Sequence, residues 1–391
     1  MDAIVTNRPT SRLSELACEL DRIEELGNAV GCRGVIEHIH GAKRADILDR
    51  RVVICGYRTP FAYEFAAWAK QNLNLVAVID DTRVGDDAEG LTILGSRDLE
   101  RIAETHGDLI GVDITFSAAA NRHFGNLFAS VGVKIVDYAV AMHLCEAPTG
   151  LDYYKQLVAT TFDTIDALRQ FAETLGDEDS RVHFLSVALY RLTLDRKWLQ
   201  ALSPDYETRY FGHGTFGVGR DDVFVDGGAY DGDSIDLLID TVGGRIRHVY
   251  AFEPDPMSFS TLERNYGRRS WIDLHSAGLW DKAGELPFEN GGSEMSRVAD
   301  SSSHRISVVA LDDIVEAPTL IKLDVEGSEP EALRGANRVI ERYRPRLALS
   351  IYHHPDHFLA IPALVKEMRS DYVFDIRHHG NHLFDTVLYA H

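Results

Sequence analysis

The sequence has little cysteine. Four in 391 residues, Cys18, Cys32, Cys55 and Cys145, stand far apart with no Cys-x-x-Cys pair. Neither a disulfide framework nor a cysteine-ligated zinc site is expected. Long apolar runs are also missing, and nothing reaches the roughly 20 residues that a membrane span needs. The first residues lack the charged-then-apolar pattern of a secretory leader. Basic charge is scarce: 40 Lys and Arg against 61 Asp and Glu leave a net charge of −21. The acids are dispersed, and such a surface repels phosphate backbones, which argues against DNA or RNA as a partner. Together these absences predict a cytoplasmic protein with no membrane span.

What is present is enough length and hydrophobicity for more than one core. At 45% hydrophobic residues the chain should hold two or three domains. Residues 1–47 are read as a helical segment. Leu13, Leu16, Ala17, Leu20, Ile23 and Leu26 recur at helical spacing, with Ser11 as the cap. That apolar stripe could pack on its own chain or on a second copy, so a homo-oligomer stays open.

Residues 48–148 alternate strand and helix patterns, with strands near 51–56, 75–80, 111–117 and 133–137, which predicts a small parallel α/β domain. Its first turn, Gly56-Tyr-Arg-Thr-Pro60, lacks the second and third glycines of G-x-G-x-x-G, so a tightly held pyrophosphate is not supported. Asp80 could hold a ribose or cap the following turn. Arg58 and Thr59 are the residues there that could meet a phosphate or sugar. Residues 149–205 read as a helical connector or lid. Tyr206, Tyr210 and Phe211 follow it, and Tyr210 is predicted to line a cofactor pocket rather than only to pack.

A second α/β domain is predicted over 206–391. Its strands fall near 223–226, 248–252, 272–276, 320–324, 347–352, 372–376 and 383–389. The last two are joined only by residues 377–382, too short for a crossover helix, so they must form an antiparallel hairpin beside an otherwise parallel sheet. The fold class is therefore α/β with two doubly wound sheets. Within the second, Val223-Phe-Val-Asp-Gly-Gly-Ala-Tyr-Asp-Gly-Asp-Ser234 runs a buried strand into a Gly-rich turn, and Val249-Tyr-Ala-Phe-Glu-Pro-Asp-Pro256 ends a second strand in a carboxylate. That is the pattern of a nucleoside site, with Glu253 placed to accept from ribose hydroxyls. Pro254 and Pro256 stiffen the turn behind it. A third block is Leu320-Ile-Lys-Leu-Asp-Val-Glu-Gly-Ser-Glu-Pro-Glu-Ala-Leu-Arg-Gly-Ala336.

Together the three blocks resemble the FkbM family of S-adenosylmethionine-dependent methyltransferases. Pro345-Arg-Leu-Ala-Leu-Ser-Ile-Tyr-His-His354 and Ile361-Pro362 match the family's carboxyl-terminal part. The resemblance covers residues 206–391, and Tyr230 departs from it where many relatives carry Asn. The first domain, through Gly56, Asp80-Asp81 and Ile93-Leu-Gly-Ser-Arg-Asp-Leu99, resembles the Rossmann-like domain preceding some sugar-modifying transferases. The family resemblance implies S-adenosylmethionine as cofactor and a small-molecule or glycan acceptor methylated on a hydroxyl of a sugar, glycan precursor or secondary metabolite. It implies that Asp226, Gly227, Gly228, Ala229, Tyr230, Asp231 and Gly232 cradle the cofactor's amino-acid part and that Glu253 holds its ribose. Asp255 and the turn at Gly278 are then candidates for the adenine edge, with Pro254 in the stiff turn of the same cofactor site, and Asp324 for a further cofactor contact.

A sulfonium methyl is already activated, so the protein must align an acceptor oxygen, exclude water and take a proton. His353, at the end of a strand, is the expected base, in preference to His354. Asp324 and Glu326 point to one side of an extended segment and could bind Mg²⁺. Alternatively Asp324 touches the cofactor and Glu326 caps the helix that begins near Ser328. Zinc at His357, His378, His379 and His382 is not expected, because Pro355 breaks any helical pairing of His353 with His357. Two other readings remain: a non-catalytic scaffold keeping the fold, and a nicotinamide oxidoreductase using the first domain.

Overall fold

The computed structural model describes residues 11–146, 152–202, 209–211, 216–289, 297–298 and 304–391. Tyr206 lies outside the described residues. The chain divides into two compact units: Met1–Asp166 with Leu185–Ser203, and Ala167–Phe184 with Pro204–His391.

In the first unit the helix Arg12–His40 begins where the Ser11 hydroxyl accepts the Ser14 N–H, as the sequence predicts. Leu16, Leu20 and Ile23 are buried, while Ala17 faces outward. The stripe is covered by its own chain: at Gly27 a side chain would put its Cβ 2.4 Å from the Phe162 ring. Four strands follow, β1 (Arg51–Cys55), β2 (Asn74–Ile79), β3 (Leu109–Asp113) and β4 (Lys134–Asp137). They are parallel in the order β2-β1-β3-β4. Their near-continuous apolar runs suit a sheet packed on both faces. Cys55 lies in the core beside Val53, Ile79 and Phe128, a packing residue as expected.

The third strand ends four residues before its predicted limit. Asp113 draws its own chain into a turn, accepting from the Thr115 N–H at 2.9 Å and hydroxyl at 2.6 Å, so the backbone leaves the ladder there. Asp80 behaves likewise, taking the N–H groups of Tyr57 and Thr82 and the Thr82 hydroxyl. Thr59 caps the helix Pro60–Asn72. Of the two roles open to Asp80, turn capping is the one observed.

The second unit is built on β5 (Val223–Gly227), β6 (His248–Phe252), β7 (Ile272–His275), β8 (Leu320–Leu323), β9 (Arg346–Ser350), β10 (Phe374–His378) and β11 (Thr386–Ala390). The order is β10-β11-β9-β8-β5-β6-β7. The strands from β9 through β7 are parallel, and β11 runs antiparallel to both its neighbours. The hairpin exists but sits further along the chain than predicted. His379 donates its N–H to the Asp385 carbonyl at 2.9 Å, closing a loop over 379–385 where 377–382 was expected. The edge strand β10 is covered by the preceding helical segment: Ser180 Oγ accepts the Ile376 N–H and His183 Nδ1 accepts the His378 N–H. Edge N–H groups so occupied are not available to pair with another chain.

Within this unit a second sheet has no counterpart in the sequence reading. Gly278–Leu279, Arg305–Val309, Gly284–Glu289 and Arg297–Val298 form a small second sheet, with Phe288, Ile306 and Val308 as its core. Its strands are short and interrupted by polar residues, so no sustained alternation announces it.

In the first unit Arg196 is buried against Asp137 and donates from Nη1 to the Thr115 carbonyl at 2.8 Å. Removing one partner of such a pair strands a charge, at about 3–5 kcal/mol. Arg196→Met should lower stability by that amount in urea unfolding; a loss under about 1 kcal/mol would mean that water screens the pair.

Candidate functional site

The residues predicted as a site gather at the carboxyl ends of β5, β6, β8 and β9, where ligands bind in open α/β sheets. The Gly-rich turn is held from below by a buried ion pair. Lys322 on β8 places Nζ 3.0 Å from Asp226 Oδ1 and 2.7 Å from the Gly228 carbonyl. The other Asp226 oxygen accepts the Ser234 hydroxyl. Burial pushes Asp226 toward its neutral form and disfavours the Lys322 charge. Asp226, Asp324 and Asp233 nevertheless hold the ammonium protonated, and its oxygen acceptors keep the pair ionic. Asp226 was expected against the cofactor; instead it is fully buried and serves as the counter-charge that pins the turn.

The glycines of this turn serve different ends. Gly227 faces inward, where a Cβ would lie 2.8 Å from Leu323 Cδ2, so it allows strand packing rather than ligand contact. Gly228 has φ 74° and comes so close to β8 that a Cβ would lie 1.9 Å from the Asp324 carbonyl oxygen. A side chain there would collide with the protein's own backbone before meeting any ligand. Gly232 caps the helix Asp233–Val242 at φ 100° under the Tyr266 ring. Ala229 is buried in the core, and the Asp231 carbonyl accepts from Asn265. Tyr230 is 38% exposed at φ 49°, with its N–H donating to Glu253 Oε2 at 2.9 Å.

Glu253 is therefore tied to the turn it was paired with in sequence. Its other oxygen accepts the Asp255 N–H at 2.8 Å, and the residue is 7% exposed. Burial is the largest influence on it and pushes the carboxyl up to about 7, against the two N–H donors. Each oxygen keeps a lone pair for a hydroxyl donor. Asp255 is turned away: its Oδ1 accepts the N–H groups of Met257 and Ser258 and caps the helix Pro256–Tyr266. Its adenine assignment gives way to that cap. Gly278 does lie beside the stiff turn, where a Cβ would be 3.7 Å from Pro254 Cβ.

The second half of the site is a carboxylate cluster. Asp324 accepts the Tyr210 hydroxyl at 2.8 Å and the Tyr352 hydroxyl at 3.2 Å. Burial alone would raise its carboxyl, but Lys322, His353 and Arg209 outweigh burial and hold it low. Tyr210 is buried, with Lys322 Nζ 5.4 Å from its ring centroid, so it joins the two halves. His353 Nδ1 lies 2.8 Å from Glu329 Oε1, and Nε2 lies 3.5 Å from both Asp324 Oδ1 and Glu326 Oε2. Burial would lower this imidazole; Glu329, Glu326 and Asp324 overcome burial and push it up to about 10. A ring held as its cation has no lone pair to offer, which corrects the expectation that His353 is the base. The N-cap of the helix Glu329–Arg334 is Ser328, whose side chain makes no capping bond, and Glu329 Oε1 reaches back to accept the Val325 N–H at 2.9 Å.

Sequence reasoning thus missed Lys322, Glu329 and Tyr352, though all three stand inside or beside the quoted blocks. His378 and His379 are buried, bonded to Thr386 and Tyr389, and take no part in a convergent metal set among the described residues. A cavity of about 410 Å³ is lined by Gly327, Arg334, His354 and His357, and none of the predicted cofactor residues lines it.

Residues 226–381 match the family described as Methyltransferase FkbM domain. Over 104 residues the chain is 32% identical to the hexuronic acid methyltransferase AglP of Haloferax volcanii, covering 24% of this chain and 43% of that protein. The chain thus aligns with less than half the length of that curated relative. The crystal structure of Methyltransferase FkbM from Methylobacillus flagellatus KT is similar over 97% of this chain and 100% of its own, at 25% identity and a TM-score of 0.82.

Lys322→Met should leave Asp226 buried without its counter-charge and cost about 3–5 kcal/mol in urea unfolding. Adding Asp226→Asn should recover part of that loss. If the single variant costs under about 1 kcal/mol, the pair is not the anchor of the turn.

Proposed function

We propose that the chain, whose residues 226–381 match the Methyltransferase FkbM domain family, is an S-adenosylmethionine-dependent O-methyltransferase. Its acceptor is a hydroxyl of a sugar, glycan precursor or secondary metabolite, with a uronic acid favoured by the likeness to a hexuronic acid methyltransferase. The observation that carries this reading is the bond between the Gly-rich turn and the strand-end acid: Tyr230 N–H to Glu253 at 2.9 Å. It sets a nearly buried carboxylate with spare lone pairs beside a turn pinned by Lys322, which suits a ribose and the amino-acid tail next to it. Bound there, the cofactor supplies an electrophilic methyl group.

The residues of this chain do the rest. Glu253 and the turn fix the cofactor's orientation. Asp324, Glu326 and Glu329 outnumber the His353 cation beside them, and a negative surround favours a cationic sulfonium over the neutral thioether left after transfer. Tyr210 and Tyr352 hold the Asp324 carboxylate in one position. With His353 cationic, the carboxylates of Asp324 and Glu326 are the groups available to take the acceptor's proton. A scaffold without turnover has no physical need of a buried acid held at the edge of ionisation.

S-adenosylhomocysteine binding, measured by titration calorimetry on the full chain, tests the reading. Ribose hydroxyls favour the ionised carboxylate, so binding should strengthen as pH rises through about 7. Between pH 6 and pH 8 the ionised fraction of a group with that pKa changes about tenfold, and affinity should follow. Glu253→Gln should bind about ten- to hundred-fold more weakly and lose the pH dependence. A pH-independent affinity in the native protein would place the ribose elsewhere.

A further inference from the structure

We propose that the cavity lined by the helices Glu329–Arg334 and His357–Met368 binds a neutral sugar unit through its hydroxyls. The preference for hydroxyls comes from the lining alone. That they belong to a glycan acceptor rests on the methyltransferase reading.

At about 410 Å³ the cavity falls within the range of ligand pockets, about 300 to 1,000 Å³. Its polar groups are left open by the fold. Asp356 stands at the N-cap of His357–Met368, where a carboxylate ordinarily accepts a helix N–H, yet its side chain makes no capping bond. His357 is 5% exposed and turns Nδ1 toward Glu329 Oε2 at 3.3 Å, and its Nε2 has no hydrogen-bond partner among the described residues. The His354 ring lies 4.8 Å from that of His357, centroid to centroid. Burial, and then His357, push His354 toward its neutral form. Arg334 spends Nη1 on Glu331 at 2.9 Å and keeps its other donors.

Glu331 and Asp356 only accept, Arg334 only donates, and a neutral imidazole does both. Neighbouring hydroxyls meet such a set, because each gives one hydrogen bond and takes others. A carboxylate or phosphate only accepts, and here it would face two acidic side chains. A cation would face the guanidinium. Pro330 and Leu364 add an apolar strip for the C–H face of a sugar ring. The cavity also adjoins the carboxylate cluster. Gly327 follows Glu326, His354 follows His353, and Glu329 lies 2.8 Å from His353 through one oxygen and 3.3 Å from His357 through the other. A glycan with one unit in the cavity is thus positioned to offer a hydroxyl of the next unit to that cluster.

Full-length protein titrated with the methyl glycosides of glucose, galactose and mannose, followed by saturation-transfer NMR, tests the site, with glucuronate as the charged control. We expect at least one glycoside to bind with a Kd of about 1–10 mM, and glucuronate about tenfold more weakly. Asp356→Ala, which removes an acceptor, and Ala360→Trp, which fills the cavity, should each weaken binding at least about tenfold. Both positions are exposed, and thermal unfolding checks that each variant keeps the native fold. In the native protein the His354 ring resonances, identified by their loss in His354→Gln, should shift with the glycoside. They decide alone if neither variant folds. No glycoside binding, no shift at His354, or binding undiminished in both folded variants overturns the site. Tighter binding of glucuronate overturns the neutral class. S-adenosylhomocysteine binding without glycoside binding rejects this site and leaves the methyltransferase reading standing, whereas the reverse upholds the site and rejects that reading.

Discussion

The Lys322–Asp226 pair is the interaction on which the second unit depends. It joins the two central strands at the depth where the sheet stops and the site begins. A buried charge pair adds little net stability over an apolar one, because desolvation consumes most of the attraction. What it supplies here is position. Nζ donates to Asp226 and to the Gly228 carbonyl and lies near the Tyr210 ring, so one ammonium aligns the turn, the strand end and the aromatic wall. An apolar pair of similar volume would pack as well, yet it would leave that carbonyl unbonded and the turn free to shift.

The second anchor is Glu329. It is fully buried between His353 and His357, and its Oε1 also takes the Val325 N–H. Burial opposes its charge, and the two imidazoles more than restore it, holding the carboxyl far below its usual range. The loop that carries Asp324 and Glu326 therefore has a buried post beneath it. Asp226 holds one side of the site in the same way as Glu329 holds the other, each a carboxylate spent on position.

Much of this was legible in the sequence. Parallel strands with continuous apolar runs declare themselves, and the short hairpin connection dictated its antiparallel partner. Gly228 and Glu253 were found because a positive-φ turn and a strand-end acid leave residue-type signatures. The roles of Asp226, Asp255 and His353 were not legible, because a carboxylate in a motif reads the same whether it faces a ligand, a lysine or a helix N-terminus. Only the register decides: Lys322 on β8 pairs with Asp226 on β5, 96 residues away in sequence. The ionisation of His353 depends on three carboxylates converging on one ring, and no spacing rule reports that. The small sheet over 278–309 escaped because two of its four strands have only two residues and the other two are too short to stand out by period alone.

Part of the backbone strain follows the same map, although Glu89, Glu146, Leu194, Ala317 and Arg344 also have positive φ elsewhere. Tyr210, Tyr230, Glu326 and Asp385 all have positive φ, at 69°, 49°, 52° and 70°. Each such residue costs of order 1 kcal/mol or more, and persists only where its surroundings overdetermine it. The surroundings do so in three of these cases through bonds already described or adjacent to them. The Tyr210 N–H donates to the Tyr389 hydroxyl and its own hydroxyl to Asp324. The Tyr230 N–H is held by Glu253. Arg209 donates to the Asp385 carboxylate at 2.7 Å, and the Asp385 carbonyl accepts from His379. Glu326 follows from its neighbours, since Asp324 is fixed by two tyrosines and Gly327 has φ 97° just before the buried Glu329. These four strained residues surround the place where the chemistry is proposed, and Tyr210, Tyr230 and Asp385 are each clamped by a polar group that is buried or partly buried. A site held this way is formed before its ligands arrive, so binding energy need not be spent on ordering the loops.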